Sequence, residues 1–207
     1  MTIKGGGKRA PPFVVGVTGH RPNRIPDAQW TRLKAQVNDV MAGIEGEQAG
    51  RRCVLVSGLA EGADRLAAFV ALGRGWALHT VLAFHRARFE QDFPEPFALG
   101  EFRALLAAAD RVTEPRRNWH KGRPADDGYH TAGDAILKRS DLLIVVWDGE
   151  GSRGRGGTIE VMDSARDQGL PIVWVHATKA SPPQPLTPKR SIVKGAHRSA
   201  LRHRHSQ

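Results

Sequence analysis

Phe13-Val14-Val15-Gly16-Val17-Thr18-Gly19-His20-Arg21 is an apolar run that stops on a hydroxyl, a glycine, an imidazole and a guanidinium. The pattern recurs twice. Residues 53–56 run into Ser57-Gly58-Leu59-Ala60-Glu61-Gly62-Ala63-Asp64, and residues 142–147 run into Asp148-Gly149 and on to Gly156-Gly157-Thr158. Short continuous apolar runs bounded by glycine turns read as buried strands, and helix-like stretches follow the second and third loops. In an open parallel sheet, ligands bind beyond the carboxyl ends of the strands, near the point where strand order reverses. Glycine-bearing loops there let backbone amides approach a phosphate, and a helix N-terminus adds positive potential. Three such loops on one edge describe a nucleotide pocket.

Working outward, Asp27 is placed to cap a helix running to about residue 48, with Leu33, Val37, Val40, Met41 and Ile44 as its inward stripe. Residues 60–72 read as a second helix and 77–82 as a third strand, closing a β-α-β-α-β unit. Residues 128–139 form a helix, 142–147 a central strand, 158–168 a helix and 171–175 the last strand. Alternation of this kind predicts an α/β fold, a single doubly wound domain with a mainly parallel sheet and right-handed crossovers. Between residues 83 and 127 the pattern is less regular. Phe84, Phe89, Phe93, Phe97 and Phe102 recur every four or five residues, 101–109 is a short helix, and 114–126 is polar. This stretch reads as a lid or wall over the ligand edge, or as plain surface loop.

The net charge of +10 lies at the ends. Residues 1–10 and 178–207 hold ten of the 31 lysines and arginines and no acid, so the remaining 21 match the 21 aspartates and glutamates. The expected organisation is a basic tail over 1–10, a domain over 11–177, and a basic, disordered tail over 178–207. Ser181-Pro182-Pro183-Gln184-Pro185 and the basic run beyond it have no face with which to bury a core. A weak electrostatic contact of the C-terminal tail with nucleic acid stays open, as does homo-oligomerisation. Cys53 is the lone cysteine, so neither an intrachain disulfide nor a thiolate metal cluster is expected. No run is long enough to span a membrane, and no apolar stretch of signal-peptide length follows Lys4, Lys8 and Arg9, so the expectation is a cytoplasmic protein without a membrane partner.

The side chains at the strand ends carry the chemistry. Arg21 suits a phosphate through its planar fork, while His20 either contacts a ligand or closes the turn. The 57–62 loop, with Leu59 at its middle, has neither the lysine of a P-loop nor the spacing of GxGxxG. Asp64 falls in a first helical turn, where a carboxylate favours the helix dipole without any further role. Asp148 is either an acceptor for ribose hydroxyls or a turn residue of Asp-Gly. Glu160 binds a sugar or a water, or favours the dipole. Tyr129 and His130 either stack on a base or pack. The histidines show no metal pattern, and neither HExxH nor GxSxG occurs, so no metal and no cofactor are expected.

The ordered series VTGHR, SGLAEGAD, YHTAGDAILKRSDLLIVVWDG and GRGGTIEVMDSARDQGLPIVWV resembles the SLOG superfamily over about residues 13 to 176. These are Rossmann-like nucleotide-binding proteins, named for the Smf/DprA proteins of DNA uptake and the LOG phosphoribohydrolases of cytokinin activation. The resemblance implies a Rossmann-like domain with a ligand site lined by Thr18, Gly19 and Arg21, by Ser57, Gly58, Gly62 and Asp64, and by Asp148, Gly149, Gly156, Gly157, Thr158 and Glu160. It departs from the LOG motif PGGxGTxxE: the proline is missing, Val161 stands at the motif glutamate, and Glu160 comes one residue early. Three readings follow. The first is a sensor or carrier of a nucleotide or nucleotide-derived molecule, with phosphate on the 57–62 and 156–158 amides and ribose on Asp148. The second is a LOG-like hydrolase of a nucleoside monophosphate, with Glu160 as its catalytic carboxylate. The third is a DprA-like nucleic-acid-binding module.

Overall fold

The computed structural model describes residues 10–116, 122, 124–151 and 157–186. Seven strands form one sheet among them: β1 (Phe13–Gly19), β2 (Cys53–Ser57), β3 (Ala77–Val81), β4 (Arg111–Thr113), β5 (Leu142–Trp147), β6 (Ile172–His176) and β7 (Gln184–Leu186). The order is β4-β3-β2-β1-β5-β6-β7, parallel throughout except for the antiparallel β6–β7 pair. The chain steps outward from β1 to β4 and then returns to lay β5 on the other side of β1. Strand order therefore reverses between β1 and β5, where Val17, Thr18 and Gly19 face Ile144, Val145 and Val146 in register.

The helices are α1 (Trp30–Glu47), α2 (Ala63–Gly73), the single turn α3 (Arg86–Phe89), α4 (Pro96–Ala108), α5 (Ala125–Leu137) and α6 (Thr158–Asp167). A 3₁₀ turn over Asp27–Gln29 leads into α1, whose Leu33, Val37, Met41 and Ile44 are buried as the spacing predicts. Burial on both faces explains the continuous apolar strands. In β5, Leu143 and Val145 pack with Val161, Met162 and Ala165 of α6, whereas Ile144 and Val146 join the larger core that includes α1 and α2.

Of the readings open for residues 84–102, the structure has a packed wall and not a plain surface loop. Phe84, Phe89, Phe93 and Phe102 are buried, with Phe89 edge-on to Phe93 and to Phe102 at centroid separations of 5.2 and 5.5 Å. Burial of each ring contributes roughly 1.5–3 kcal/mol. Arg65 of α2, 2% exposed, lies 4.2 Å over the Phe93 ring and donates to the carbonyls of Leu59 and Ala98. It fastens this wall to α2. Phe97 alone of the five points outward, 78% exposed.

Two strands go beyond the sequence reading. β4 is only three residues long and was hidden in the irregular stretch; Asp110 starts it by bonding the amide of Leu78 through its carboxylate. β7 extends the sheet past residue 177, so the expected disorder from 178 onward is corrected for residues 178–186. Trp174 pairs with Gln184 and Ile172 with Leu186, giving this proline-containing segment backbone partners that need no apolar face. Pro185 fits because an edge strand tolerates a missing donor. The 1–9 and 187–207 parts of the tails lie outside the described residues. Among the described residues no helix is long and apolar enough to cross a membrane.

Candidate functional site

A cavity of about 370 Å³ opens at the carboxyl end of β1, beside the point where strand order reverses. The first predicted loop lines it fully, through Thr18, Gly19, His20 and Arg21. The second contributes Gly58 and Asp64, the helix α5 contributes Tyr129, and the third loop contributes Gly157 and Thr158. The sheet ending, the start of α2 and the start of α6 thus meet at one place. Gly19 and Gly62 make that convergence sterically feasible. A Cβ on Gly19 would lie 2.5 Å from the Cβ of Ala63, and one on Gly62 would lie 2.5 Å from the His20 carbonyl oxygen. Gly62 also has φ +105, a region that only glycine occupies comfortably.

Six other predicted residues do not line the cavity. Ser57 is fully buried beneath its loop, where its hydroxyl accepts from the Leu59 amide. Leu59 is buried in the core with φ +55, and Gly62 faces the His20 backbone. Gly149 packs toward Trp174. Glu160 points to His130, with 3.3 Å between Oε1 and Nε2. Asp148 is the largest departure. Its carboxylate accepts from Arg24 at 2.6 Å and from the Glu150 amide at 2.9 Å, and His20 Nε2 lies 2.9 Å from it. Those partners make it an acceptor that ties the turn after β5 to the segment after β1. Gly156 lies outside the described residues.

The electrostatics follow from these contacts. Burial would raise the Asp148 carboxyl, but the His20, Glu150 and Arg24 partners outweigh it and hold it at about 2. Burial lowers His20 below its usual value, and the Asp148 contact only partly offsets this. His20 Nε2 accepts from the Asp148 backbone amide at 3.2 Å as well as lying 2.9 Å from the carboxylate. Arg21 donates to the Tyr129 hydroxyl at 3.0 Å and lies 5.4 Å from the ring centroid; Tyr129 in turn donates to Asp92, which pairs with Arg88. Burial, reinforced by Asp92, pushes the Tyr129 phenol up to about 12, so it stays a neutral donor.

Asp64 differs from the sequence reading in the opposite sense. The residue is 7% exposed and lines the cavity, and the backbone amides of Gly58 and Ala60 stand beside its carboxylate. Burial raises it to about 7 against the pull of those amides and of Arg21 and Arg65. The 57–62 loop thus has an anion of the chain itself beside its amides. The amide of Leu59 goes to the Ser57 hydroxyl, and that of Ala63, just past the loop, goes to the His20 carbonyl. The N-terminus of α6 differs: Gly157 offers no side-chain cap, and the first-turn N–H groups of a helix have no intrahelical acceptor.

Sequence reasoning missed Asn23, Arg24 and Asp126, which line the cavity together with Ala60, Phe89, Ala132 and Gly133. Asn23 and Arg24 follow the first loop directly, which was the available signal. Ala132 and Gly133 carry only small size as a clue; Gly133 lets α6 come close, since its Cβ would sit 2.8 Å from Val161. Among the described residues no group of three His, Cys, Asp or Glu is arranged to hold a metal.

No family model and no curated protein matches the chain. Solved structures do. The DNA processing protein A (DprA) of Streptococcus pneumoniae superposes with a TM-score of 0.52 at 20% identity, covering 79% of this chain and 50% of that one. The Helicobacter pylori DprA, described for its single-stranded DNA binding mode, gives 0.51 at 17% identity, covering 79% and 65%. The Moco carrier protein of Chlamydomonas reinhardtii gives 0.47 at 18% identity, covering 82% and 78%. The chain thus spans about half the length of the pneumococcal protein. Likeness at these identities establishes the fold alone.

Proposed function

The chain has a SLOG-type Rossmann-like fold, and on that premise we propose that it binds a nucleotide or nucleotide-derived small molecule in the β1-edge cavity, as a sensor or carrier domain. The observation that carries the reading is the meeting of Arg21 with the N-terminus of α6 on one cavity at the switch point. Arg21 brings a charged fork and the α6 amides bring partial positive charge, the two devices proteins use for phosphate. Arg24 lines the cavity as well, but its charge is matched by Asp148. Tyr129 and Phe89 supply aromatic surface beside it. Glu160 faces His130 and is not among the lining residues, which favours binding over N-glycosidic hydrolysis.

Two measurements test this. Mass spectrometry of small molecules released from the purified protein should return a phosphorylated nucleoside derivative. Calorimetry with the four ribonucleoside monophosphates should detect binding that Arg21→Ala weakens by roughly 10- to 100-fold, the loss of a charge-assisted hydrogen bond. Absence of both a co-purifying nucleotide and any calorimetric binding would overturn the reading. Release of free base by the parent protein would replace it with the hydrolase.

A further inference from the structure

We propose that Asp64, and not Asp148, is the acceptor for the sugar hydroxyls of the bound nucleotide, so that the site selects ribose over sugars lacking the 2′,3′-diol. The inference rests on the nucleotide reading of the cavity. It begins with the acceptor capacity of the two carboxylates. An ionised carboxylate offers about four lone-pair positions. At Asp148, Arg24 and the Glu150 amide take up two of them, His20 Nε2 stands 2.9 Å from a third side of the carboxylate, and the residue does not line the cavity. At Asp64, the Gly58 and Ala60 amides stand beside the carboxylate, and the residue lines the cavity.

The loop that presents Asp64 is built around it. Gly58 comes so close that a Cβ there would lie 3.3 Å from Oδ2. Arg65, the next residue, is anchored to the Leu59 carbonyl, and the Ser57 hydroxyl reaches the Asp64 carbonyl at 3.4 Å. The backbone that carries the carboxylate is therefore held in place at the cavity wall. A concavity of successive amides binds anions. Here the anion is the chain's own, so a ligand phosphate at the same amides would meet a second negative charge. That sends the phosphate to Arg21 and the start of α6 and leaves the α2 end of the cavity to neutral donors. Hydroxyls fit that description.

The pairs to compare are adenosine, guanosine, cytidine and uridine monophosphates, each against its 2′,3′-dideoxy form, by calorimetry on the full chain. Base and phosphate cancel within each pair. The ribose form should bind about tenfold or more tightly at pH 8, a hydrogen bond to a charged acceptor being at stake. The preference should shrink at pH 5.5 as Asp64 takes up its proton. Arg21 and Arg65 are the cations whose fields reach this carboxyl, and His20, Arg24 and Asp126 line the same cavity. Asp64→Asn, of nearly the same size, should erase the pH-dependent preference while still binding the dideoxy forms. Equal affinity within every pair for the parent protein at both pH values would overturn the inference and leave the nucleotide reading standing. Failure of all eight ligands to bind would overturn both.

Discussion

Arg24 Nη2 lies 2.6 Å from Asp148 Oδ2, a bridge between the 3₁₀ turn that follows β1 and the residue that follows β5. It ties the two strand ends between which the sheet order reverses. Both side chains are largely shielded, so the pair resists solvent screening better than a surface pair does.

Asp148→Asn should therefore destabilise the fold by roughly 1–3 kcal/mol at pH 7. The sign with pH follows from the depressed carboxyl, held at about 2 against an ordinary 3.8. Its contribution is complete above the unfolded value near 4 and is lost as pH falls through 2. Urea unfolding of parent and variant at pH 7 and pH 2 checks this: the midpoints should separate at the higher pH and approach each other at the lower. Coincident midpoints at pH 7 would remove the bridge from the account.

Asp64 predicts the opposite sign. Its carboxyl rises to about 7 in the folded chain from an ordinary 3.8, so the native state holds its proton where the unfolded state has lost it. That stabilisation is complete below about pH 4 and is lost as pH rises through 7. Asp64→Asn should be more stable than the parent at pH 8, by up to about 4 kcal/mol, with the two converging at pH 4. Thermal melts at the two pH values give the answer. A variant less stable than the parent at pH 8 would mean that the Gly58 and Ala60 amides satisfy the charge fully.

How far the sequence leads is visible in these two aspartates. Asp148 stands just after β5 and Asp64 in the first turn of α2, positions where a carboxylate serves a ligand, a turn or the helix dipole equally well. Spacing locates the edge of the sheet, because burial on both faces writes itself as continuous apolar runs in β1, β2 and β5. It does not say which of Arg24, His20, Gly58 and Ala60 stands against which carboxylate, since those contacts join residues up to 128 positions apart. The same limit hid β4 and β7, whose partners come from backbone pairing and not from side-chain pattern. The phenylalanine spacing of residues 84–102 left a lid or wall and a plain surface loop both open, and did not reveal that Arg65 anchors the segment.

Gly62→Ala should lose at least about 2 kcal/mol of stability, because the substitution meets two penalties together. The residue has φ +105 and ψ −126, and the new methyl would sit 2.5 Å from the His20 carbonyl oxygen. That oxygen accepts the Ala63 amide, so moving it loosens the start of α2 against β1. A melting temperature within a degree or two of the parent would show that the loop can rearrange. Gly43→Ala, a helical position with open space around its Cβ, is the control and should hold or raise stability.

Tyr129→Phe tests how Arg21 is positioned. The phenylalanine keeps the ring under the guanidinium and its packing against Phe84, and removes only the hydroxyl that accepts from Arg21 and donates to Asp92. Asp92 retains Arg88 as partner, so stability should change by no more than about 1 kcal/mol. Nucleotide affinity should fall three- to tenfold as Arg21 gains freedom, the magnitude of one ordinary hydrogen bond. An affinity equal to the parent's would mean that ring contact alone orients Arg21.

Glu160→Gln separates sensor from hydrolase. The amide keeps the side chain's size and removes the negative charge with which a carboxylate would stabilise a developing ribosyl cation. Glu160 instead stands 3.3 Å from His130 Nε2, joining α6 to α5, with both side chains over a third exposed. Contacts of that kind contribute about 0–1 kcal/mol. The substitution should leave the melting temperature nearly unchanged and the affinity for a ribonucleoside monophosphate within about twofold of the parent. Incubation of either protein with adenosine monophosphate, followed by chromatography for free adenine, should show no release above the protein-free control. Adenine released by the parent and not by the variant would make Glu160 the catalytic carboxylate, require it to turn from His130 into the cavity, and replace the sensor reading with the phosphoribohydrolase.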